Sequence, residues 1–151
     1  MSDAAPPQGL DRIFRFVSLV AFAGWGVVFA FPLVPEPVRT WSLGGALAVL
    51  CAVYVCLLFL GGRFDAAGER PRGSFLTLRG VLSLFRAPRV VLVGWIHFLA
   101  FDLFVGASIA LDASRASISH VWVLPILGLT LMFGPAGMLA YLVLRLGLAA
   151  L

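Results

Sequence analysis

The sequence predicts an all-α fold, a bundle of four transmembrane helices, and two observations lead to this prediction. Of the 151 residues, 62% are hydrophobic and only 12% are charged, with a mean hydropathy of +1.06. A soluble domain averages about 45–50% apolar and about 25% charged residues, so this composition indicates a membrane protein. The apolar residues also fall into four runs, each long enough to supply the ~20 residues that a helix needs to cross a bilayer.

Prolines, glycines and polar residues mark the ends of the predicted helices. Pro32, Pro35 and Pro37 stop the first span, and Gly61-Gly62 closes the second. The arginine-rich connection that follows carries apolar residues at helical spacing, which predicts a short helix lying in the membrane interface. The N-terminus at 1–11 is predicted to be disordered, and 12–148 is predicted to form one membrane domain. The predicted spans of this domain are 12–31, 40–60, 90–111 and 120–148. The predicted interfacial helix is at 74–86.

The arginines predict the orientation of the bundle. All eleven basic residues are arginines. Nine of them lie near the N-terminus, in the long connection or near the C-terminus, which four spans would place on one side of the membrane. Only Arg39 and Arg115 lie in the two connections predicted on the other side. By the positive-inside rule, both termini and the long connection face the cytoplasm. The N-terminal residues do not have the Ser/Arg-rich form of a plastid transit peptide, so the expected location is the inner membrane of a bacterium.

The third span contains two ionisable residues, His97 and Asp102. An ionisable side chain at bilayer depth is costly and often marks a functional site. At about 1.5 Å per residue, Asp102 lies near the middle of the membrane, and the helix-breaking Gly134-Pro135 pair of the fourth span reaches a similar depth. The sequence therefore predicts that Asp102 faces this break, whereas His97 points about 140° away from Asp102 around the helix.

A second layer of polar residues is predicted nearer the cytoplasm. Tyr54, His97 and Tyr141 each lie about seven residues from the cytoplasmic end of their span, and Arg145 follows Tyr141 by one turn. Polar and ionisable side chains at this depth are candidates for a functional site. The structural alternative is that Asp102 and His97 only join helices through hydrogen bonds.

Several other kinds of site are excluded. His97 and His120 are separated by roughly 20 Å along the membrane normal, so one haem cannot use both. Cys51 and Cys56 have no further ligand at metal spacing, which excludes a zinc site and makes them small apolar fillers. We expect neither a metal nor a cofactor. Nucleic acid is not an expected partner, because the arginines lie between apolar spans rather than along one folded face.

Two stretches of the sequence form a specific pair of motifs, GWIHFLAFDLFVG at 94–106 and LPILGLTLMFGPAGMLAYLVLR at 124–145. The residues that carry the pattern are Trp95, His97, Asp102, Leu103, Phe104 and Gly106, then Leu129, Thr130, Met132, Gly134, Pro135 and Gly137. Together they resemble the abscisic-acid-deficient-four-like family of integral membrane proteins, which includes plant neoxanthin synthase. The resemblance is strong over 76–145 and weaker before it, and Ala107 stands where the family pattern suggests arginine.

This resemblance implies a membrane protein that binds a carotenoid or a related isoprenoid lipid. Plant members are implicated in converting violaxanthin to neoxanthin, an isomerisation of an epoxide to an allene without net redox change. Asp102 and His97 are residue types that can supply its acid and its base. The resemblance therefore implies catalytic roles for Asp102, His97 and Tyr141, and substrate-binding roles for Trp95, Tyr54, Gly134, Pro135 and Arg145. Our first hypothesis is therefore isoprenoid binding, with non-redox isomerisation of neoxanthin-synthase type as its catalytic form.

Two other hypotheses belong to different functional classes. The main alternative is a non-catalytic accessory or assembly subunit of a larger photosynthetic or respiratory membrane complex, or a homo-oligomer, because the aromatic-rich spans suit contact with lipid, pigment or protein. The third is a transporter, because a broken helix beside an acid at the midplane is an arrangement that transporters use. Four spans without an internal repeat make the transporter the weakest of the three.

Overall fold

Six α-helices make up the part of the chain that the structure, a computed structural model, describes: residues 8–65 and 73–149. The helices are α1 (Gln8–Phe29), α2 (Glu36–Leu60), α3 (Leu78–Leu84), α4 (Pro88–Arg115), α5 (His120–Met132) and α6 (Gly134–Ala149). A short 3-10 helix at Gly61–Phe64 follows α2, and these residues include no strand. Three helices, α1, α2 with its 3-10 extension, and α4, are long and apolar enough to cross a membrane. The all-α class is therefore confirmed.

The long helices begin earlier than predicted. The first span was predicted to follow a disordered segment at 1–11, but α1 begins at Gln8, and an ion pair of 2.9 Å between Asp11 and Arg15 supports its first turns. Residues 1–7 of that predicted segment lie outside the described residues. In α2, Pro37 lies in the first turn, where the missing N–H has no intrahelical partner to lose, so the helix begins at Glu36.

The segment predicted as an interfacial helix, 74–86, contains a shorter helix, α3, and its location in the membrane interface stays a prediction. Its start is set by Thr77, whose hydroxyl accepts a hydrogen bond of 3.1 Å from the Gly80 N–H. The helix buries none of its residues, and Leu78 and Leu82 on it and Phe85 just beyond it are exposed. An apolar face that the described residues leave exposed is typical of a helix that lies in the membrane interface.

The central helix of the bundle is α4, which packs against α1, α2, α5 and α6. Near the N-terminal ends of α1 and α4, the rings of Phe14 and Trp95 lie 6.0 Å apart. Further along, Trp25 packs so closely on Gly106 that no Cβ would fit there. Both contacts follow the same order along the two helices, so α1 and α4 run in the same direction. The helix α2, which lies between them in sequence, runs in the opposite direction.

The predicted fourth span at 120–148 is not one continuous helix. Its two parts, α5 and α6, fold back on each other, so that a Cβ atom at Gly137 would collide with Thr130. In a continuous helix these residues would be separated by about 10 Å along the axis. The chain reverses at Phe133, immediately before Gly134-Pro135. Pro135 supplies no N–H, and Gly134 leaves room for the close approach of α4, so both favour the reversal at this point.

The direction of α6 follows from its contacts with α4. Gly134, at the start of α6, lies against Asp102. Two to three turns later, Tyr141 and Arg145 bind Asp112, which is ten residues further along α4. Since both helices advance together, α6 runs parallel to α4.

The prediction of a fourth span and of two termini at the same end of the bundle is therefore wrong. The α5–α6 hairpin enters beside the end of α1, where the His120 ring nitrogen Nε2 lies 2.9 Å from the Phe29 carbonyl oxygen. The hairpin reaches the level of Asp102 at its tip, and α6 then returns to the end of the bundle where α5 begins. The last turn of α6 consequently lies at the opposite end of the bundle from Gln8. Which end faces the cytoplasm stays a prediction.

Candidate functional site

The Asp102 side chain lies at the tip of the α5–α6 hairpin. Only 7% of the residue is exposed, and the backbone N–H of Gly134 donates a hydrogen bond to its carboxylate. A Cβ atom at Gly134 would collide with Asp102 Oδ1, so only glycine fits at this contact. Pro135 follows at the exposed surface of the tip. The prediction that Asp102 faces the break at Gly134-Pro135 is confirmed.

The electrostatic environment of the Asp102 carboxylate is determined by α6, whose first residue contacts it. The N-terminus of an α-helix carries a partial positive charge and unsatisfied N–H groups, and α6 presents this end to the Asp102 carboxylate. No described Arg or His forms an ion pair with Asp102. The second oxygen, Oδ2, is buried and has no hydrogen-bond partner among the described residues. This carboxyl group can therefore hold a proton, or accept or donate one hydrogen bond to a polar atom placed beside it.

His97 lies on another side of α4 and is exposed. Its ring stacks on Phe101, with centroids 4.5 Å apart, and lies 5.9 Å from the Tyr54 ring of α2. The prediction that His97 and Asp102 do not pair is confirmed, and so is the proximity of His97 to Tyr54. The structure does not bring His97 to Asp102 as the second group of one acid–base site.

Tyr141 and Arg145 form a cluster with Asp112 near the end of α4. The Tyr141 hydroxyl donates to Asp112 Oδ2 at 2.6 Å, and Arg145 Nε donates to the same oxygen at 3.0 Å. The predicted layer of Tyr141 with His97 and Tyr54 is therefore wrong, because the reversed α6 carries Tyr141 towards the other end of α4. Asp112 was missed because the third span was predicted to end at residue 111, which left this carboxylate outside the membrane domain's helices.

An apolar groove lies between the N-terminal halves of α1 and α4, on the same face of α4 as Asp102. It has a volume of ≈ 610 Å³ and is lined by Leu10, Asp11, Phe14, Arg86, Pro88, Val91, Leu92 and Trp95. The Trp95 ring stacks on the Phe98 ring, with centroids 5.6 Å apart. Trp95 is seven residues before Asp102, so the side chains of Trp95 and Asp102 point in nearly the same direction, about two turns apart. Of the groove residues, the sequence predicted only Trp95. Phe14 carried no signal, because it is one of many aromatic residues on the spans.

The predicted site residues thus fall into four places. Asp102 lies with Gly134 and Pro135, His97 with Tyr54, Tyr141 with Arg145, and Trp95 in the groove. Within the described ranges, no group of three or more His, Cys, Asp or Glu side chains is arranged to hold a metal ion.

Comparison with known proteins identifies the family. No curated protein and no solved structure matches the chain. A family model described as ABA DEFICIENT 4-like matches residues 12–141. The match covers most of α1, all of α2, α4 and α5, the first half of α6, and every residue from Trp95 to Gly137 that carries the two motif patterns. A match of this extent, over the residues that build the Asp102 site, shows that the chain belongs to the ABA DEFICIENT 4-like family.

Proposed function

We propose that this protein binds a carotenoid or a related isoprenoid lipid inside the bilayer, with the Asp102 carboxyl group against the polar part of the ligand. The observation that carries the proposal is the buried Asp102 Oδ2, which has no partner in the described part of the chain. A buried polar atom without a partner is costly and calls for an explanation such as a ligand or a catalytic role. The membrane-protein composition and the family's motifs around Asp102 and Gly134 support a lipid-soluble ligand.

The reaction that we propose is a non-redox isomerisation with Asp102 as its proton-transfer group. A protonated Asp102 gives its proton to an epoxide oxygen of the ligand, and the carbon–oxygen bond opens. The resulting carboxylate then takes a proton from a carbon of the polyene, which forms the new double bond and restores the acid. One carboxyl group serves both steps, because His97 lies on another side of α4 and Tyr141 is bound to Asp112.

Replacement of Asp102 tests this function. We expect Asp102→Asn to leave the helices folded, because the amide oxygen can still accept from the Gly134 N–H, but to lower isomerised product at least about 100-fold. Pigments and quinones extracted from cells that express each full-length variant are measured by liquid chromatography and mass spectrometry. The control is His97→Gln, which changes the other ionisable residue of the same helix and should leave the product unchanged. An unaltered pigment profile in Asp102→Asn cells, together with an altered one after complete deletion, would refute the catalytic role.

The second candidate function is that of a non-catalytic accessory or assembly subunit. The separation of His97 and Tyr141 from Asp102 favours it, since no second titratable side chain of the described chain converges on the carboxyl group. Purification of the full-length protein in mild detergent distinguishes the two functions. Copurified isoprenoid supports the ligand-binding function, whereas stoichiometric protein partners without bound lipid support the subunit.

A further inference from the structure

Two exposed arginines on and just after α3, Arg79 and Arg86, have no role in the function proposed for Asp102. Together with neighbouring residues of α3 they line one open depression of ≈ 590 Å³. Among the described residues, neither guanidinium group has a hydrogen-bond or ion-pair partner, whereas Arg15, Arg89 and Arg145 each bind a carboxylate. Two such guanidinium groups beside one depression suit an anion with several acceptor oxygens, such as a phosphate.

The segment that carries these arginines is held in place at both of its ends. Before α3, the backbone of Ser74 packs so closely on Gly80 that a Cβ atom there would collide with it. After α3, the Phe85 ring lies against Gly94 of α4, where a Cβ atom would be 3.1 Å from the ring. Arg86 follows Phe85 directly, so its backbone is fixed relative to α4. Because the arginines belong to a folded segment, they need little ordering to bind one ligand.

The apolar groove between α1 and α4 is also lined by Arg86, so this residue borders both the groove and the depression. The groove extends to Trp95, about 10 Å along α4 from its first residue. The rings of Phe14 and Trp95, 6.0 Å apart, contact each other, so an apolar chain in the groove would lie against them rather than between them. The acidic lining residue, Asp11, is paired with Arg15 at 2.9 Å, which compensates its charge. An apolar groove therefore opens beside a positively charged site.

We propose that this end of the protein binds a phospholipid of net negative charge, with its phosphate on Arg79 and Arg86 and one acyl chain along the groove. Guanidinium groups bind phosphate oxygens with directed, charge-assisted hydrogen bonds, and the groove gives the chain an apolar surface. Exposed Leu78 and Leu82 flank the arginines, as apolar side chains do on helices that bind anionic lipid surfaces. A soluble anion would leave the groove unused, whereas a phospholipid joins both chemistries in one molecule. This inference is independent of the proposed role of Asp102.

The test compares phosphatidylglycerol with phosphatidylcholine, both with dioleoyl chains, because these lipids differ in net charge. The full-length protein is purified in a non-ionic detergent and delipidated, and lipid binding is measured by native mass spectrometry. We expect the wild-type protein to bind phosphatidylglycerol about 25-fold more tightly, because each of two arginines contributes about fivefold. Arg79→Gln and Arg86→Gln should each weaken phosphatidylglycerol binding about fivefold and change phosphatidylcholine binding by less than about twofold.

The matched control is Arg12→Gln, because Arg12 is an exposed arginine at the same end of the bundle that lines neither the depression nor the groove. It should preserve the preference for phosphatidylglycerol. If Arg12→Gln weakens binding as much as Arg79→Gln does, the arginines act only as general positive charge and the site is refuted. Equal binding of the two lipids to the wild-type protein would refute it as well.

A second set of measurements tests the groove and distinguishes a lipid from a soluble phosphate. Glycerol phosphate presents the phosphate without acyl chains, so we expect it to bind at least about 100-fold more weakly than phosphatidylglycerol. Val91→Trp places a large ring in the groove from a half-exposed lining position, and should weaken binding of both phospholipids about tenfold. Equally tight binding of glycerol phosphate would overturn the lipid as the ligand, and an unchanged affinity of Val91→Trp would overturn the place of its chain.

Discussion

Close contacts at two glycines shape the candidate site at the scale of single residues. Gly134 brings the first N–H groups of α6 onto the Asp102 carboxylate, and Gly137, one turn later, brings α6 against Thr130 of α5. At both positions a Cβ atom would overlap an atom of the facing helix. The close approach of α6 to Asp102, and of α6 to α5, is therefore possible because Gly134 and Gly137 have no side chain.

Substitution of Gly137 tests the hairpin contact. Gly137→Ala should destabilise the protein by about 1–3 kcal/mol, because the added methyl group must displace the backbone and hydroxyl of Thr130. Thermal unfolding in detergent, followed by circular dichroism, measures the change. Gly128→Ala is the matched control, since a Cβ atom there meets nothing within 4 Å and α5 should gain helix propensity. Equal melting temperatures for the two variants would contradict the close packing of α5 on α6.

At the scale of helices, one arginine joins the end of α2 to the start of α4. Arg89 binds both carboxylate oxygens of Asp65, with Nε–Oδ1 at 2.8 Å and Nη2–Oδ2 at 2.9 Å. Its third nitrogen, Nη1, donates to the Leu57 carbonyl oxygen at 2.9 Å, which satisfies an acceptor in the last turn of α2. The side chains of Arg89 and Asp65 are only 11% and 10% exposed. This clamp holds the two long helices together at the end where the groove opens.

Removal of the arginine should cost much more than an exposed ion pair. Arg89→Met leaves the Asp65 carboxylate buried without its partner, and we expect a loss of about 3–5 kcal/mol in the free energy of unfolding. Denaturant titration of the purified full-length protein measures this loss. Arg79→Met, on the exposed face of α3, is the control and should change stability by less than about 0.5 kcal/mol. A small effect of Arg89→Met would mean that the clamp does not stabilise the bundle.

At the scale of the whole molecule, the reversal at Phe133 decides where the chain ends. Three long helices run the full length of the bundle. Both the start of α5 and the later turns of α6 lie at the same end, beside the last turns of α1 and α4. Arg145 then lies with Asp112 and Arg115 rather than with the arginines near the N-terminus. Eight of the eleven arginines still belong to the N-terminus and the long connection, so the positive-inside rule still predicts that this end faces the cytoplasm.

Reporter fusions test this topology. A green fluorescent protein at the N-terminus should fluoresce in a bacterial host, whereas the same protein at the C-terminus, exported through the membrane, should not. Alkaline phosphatase at the C-terminus should be active, because α6 returns its end to the side opposite the N-terminus. Fluorescence from both green fluorescent protein fusions, with an inactive phosphatase, would instead support four complete spans and contradict the hairpin.

The sequence by itself determined the helical class, the three long helices and the meeting of Asp102 with Gly134. These follow from the apolar runs and from the rise of a helix, both of which are local properties, and the family match over 12–141 agrees with them. Only the tertiary structure decided the direction of α6. Pro135 shows that the helix is interrupted, but a kink and a complete reversal have the same local signal, and the choice depends on packing between distant segments.

That choice places Tyr141 and Arg145 on Asp112, takes them away from His97, and leaves the α1–α4 groove open below the hairpin tip.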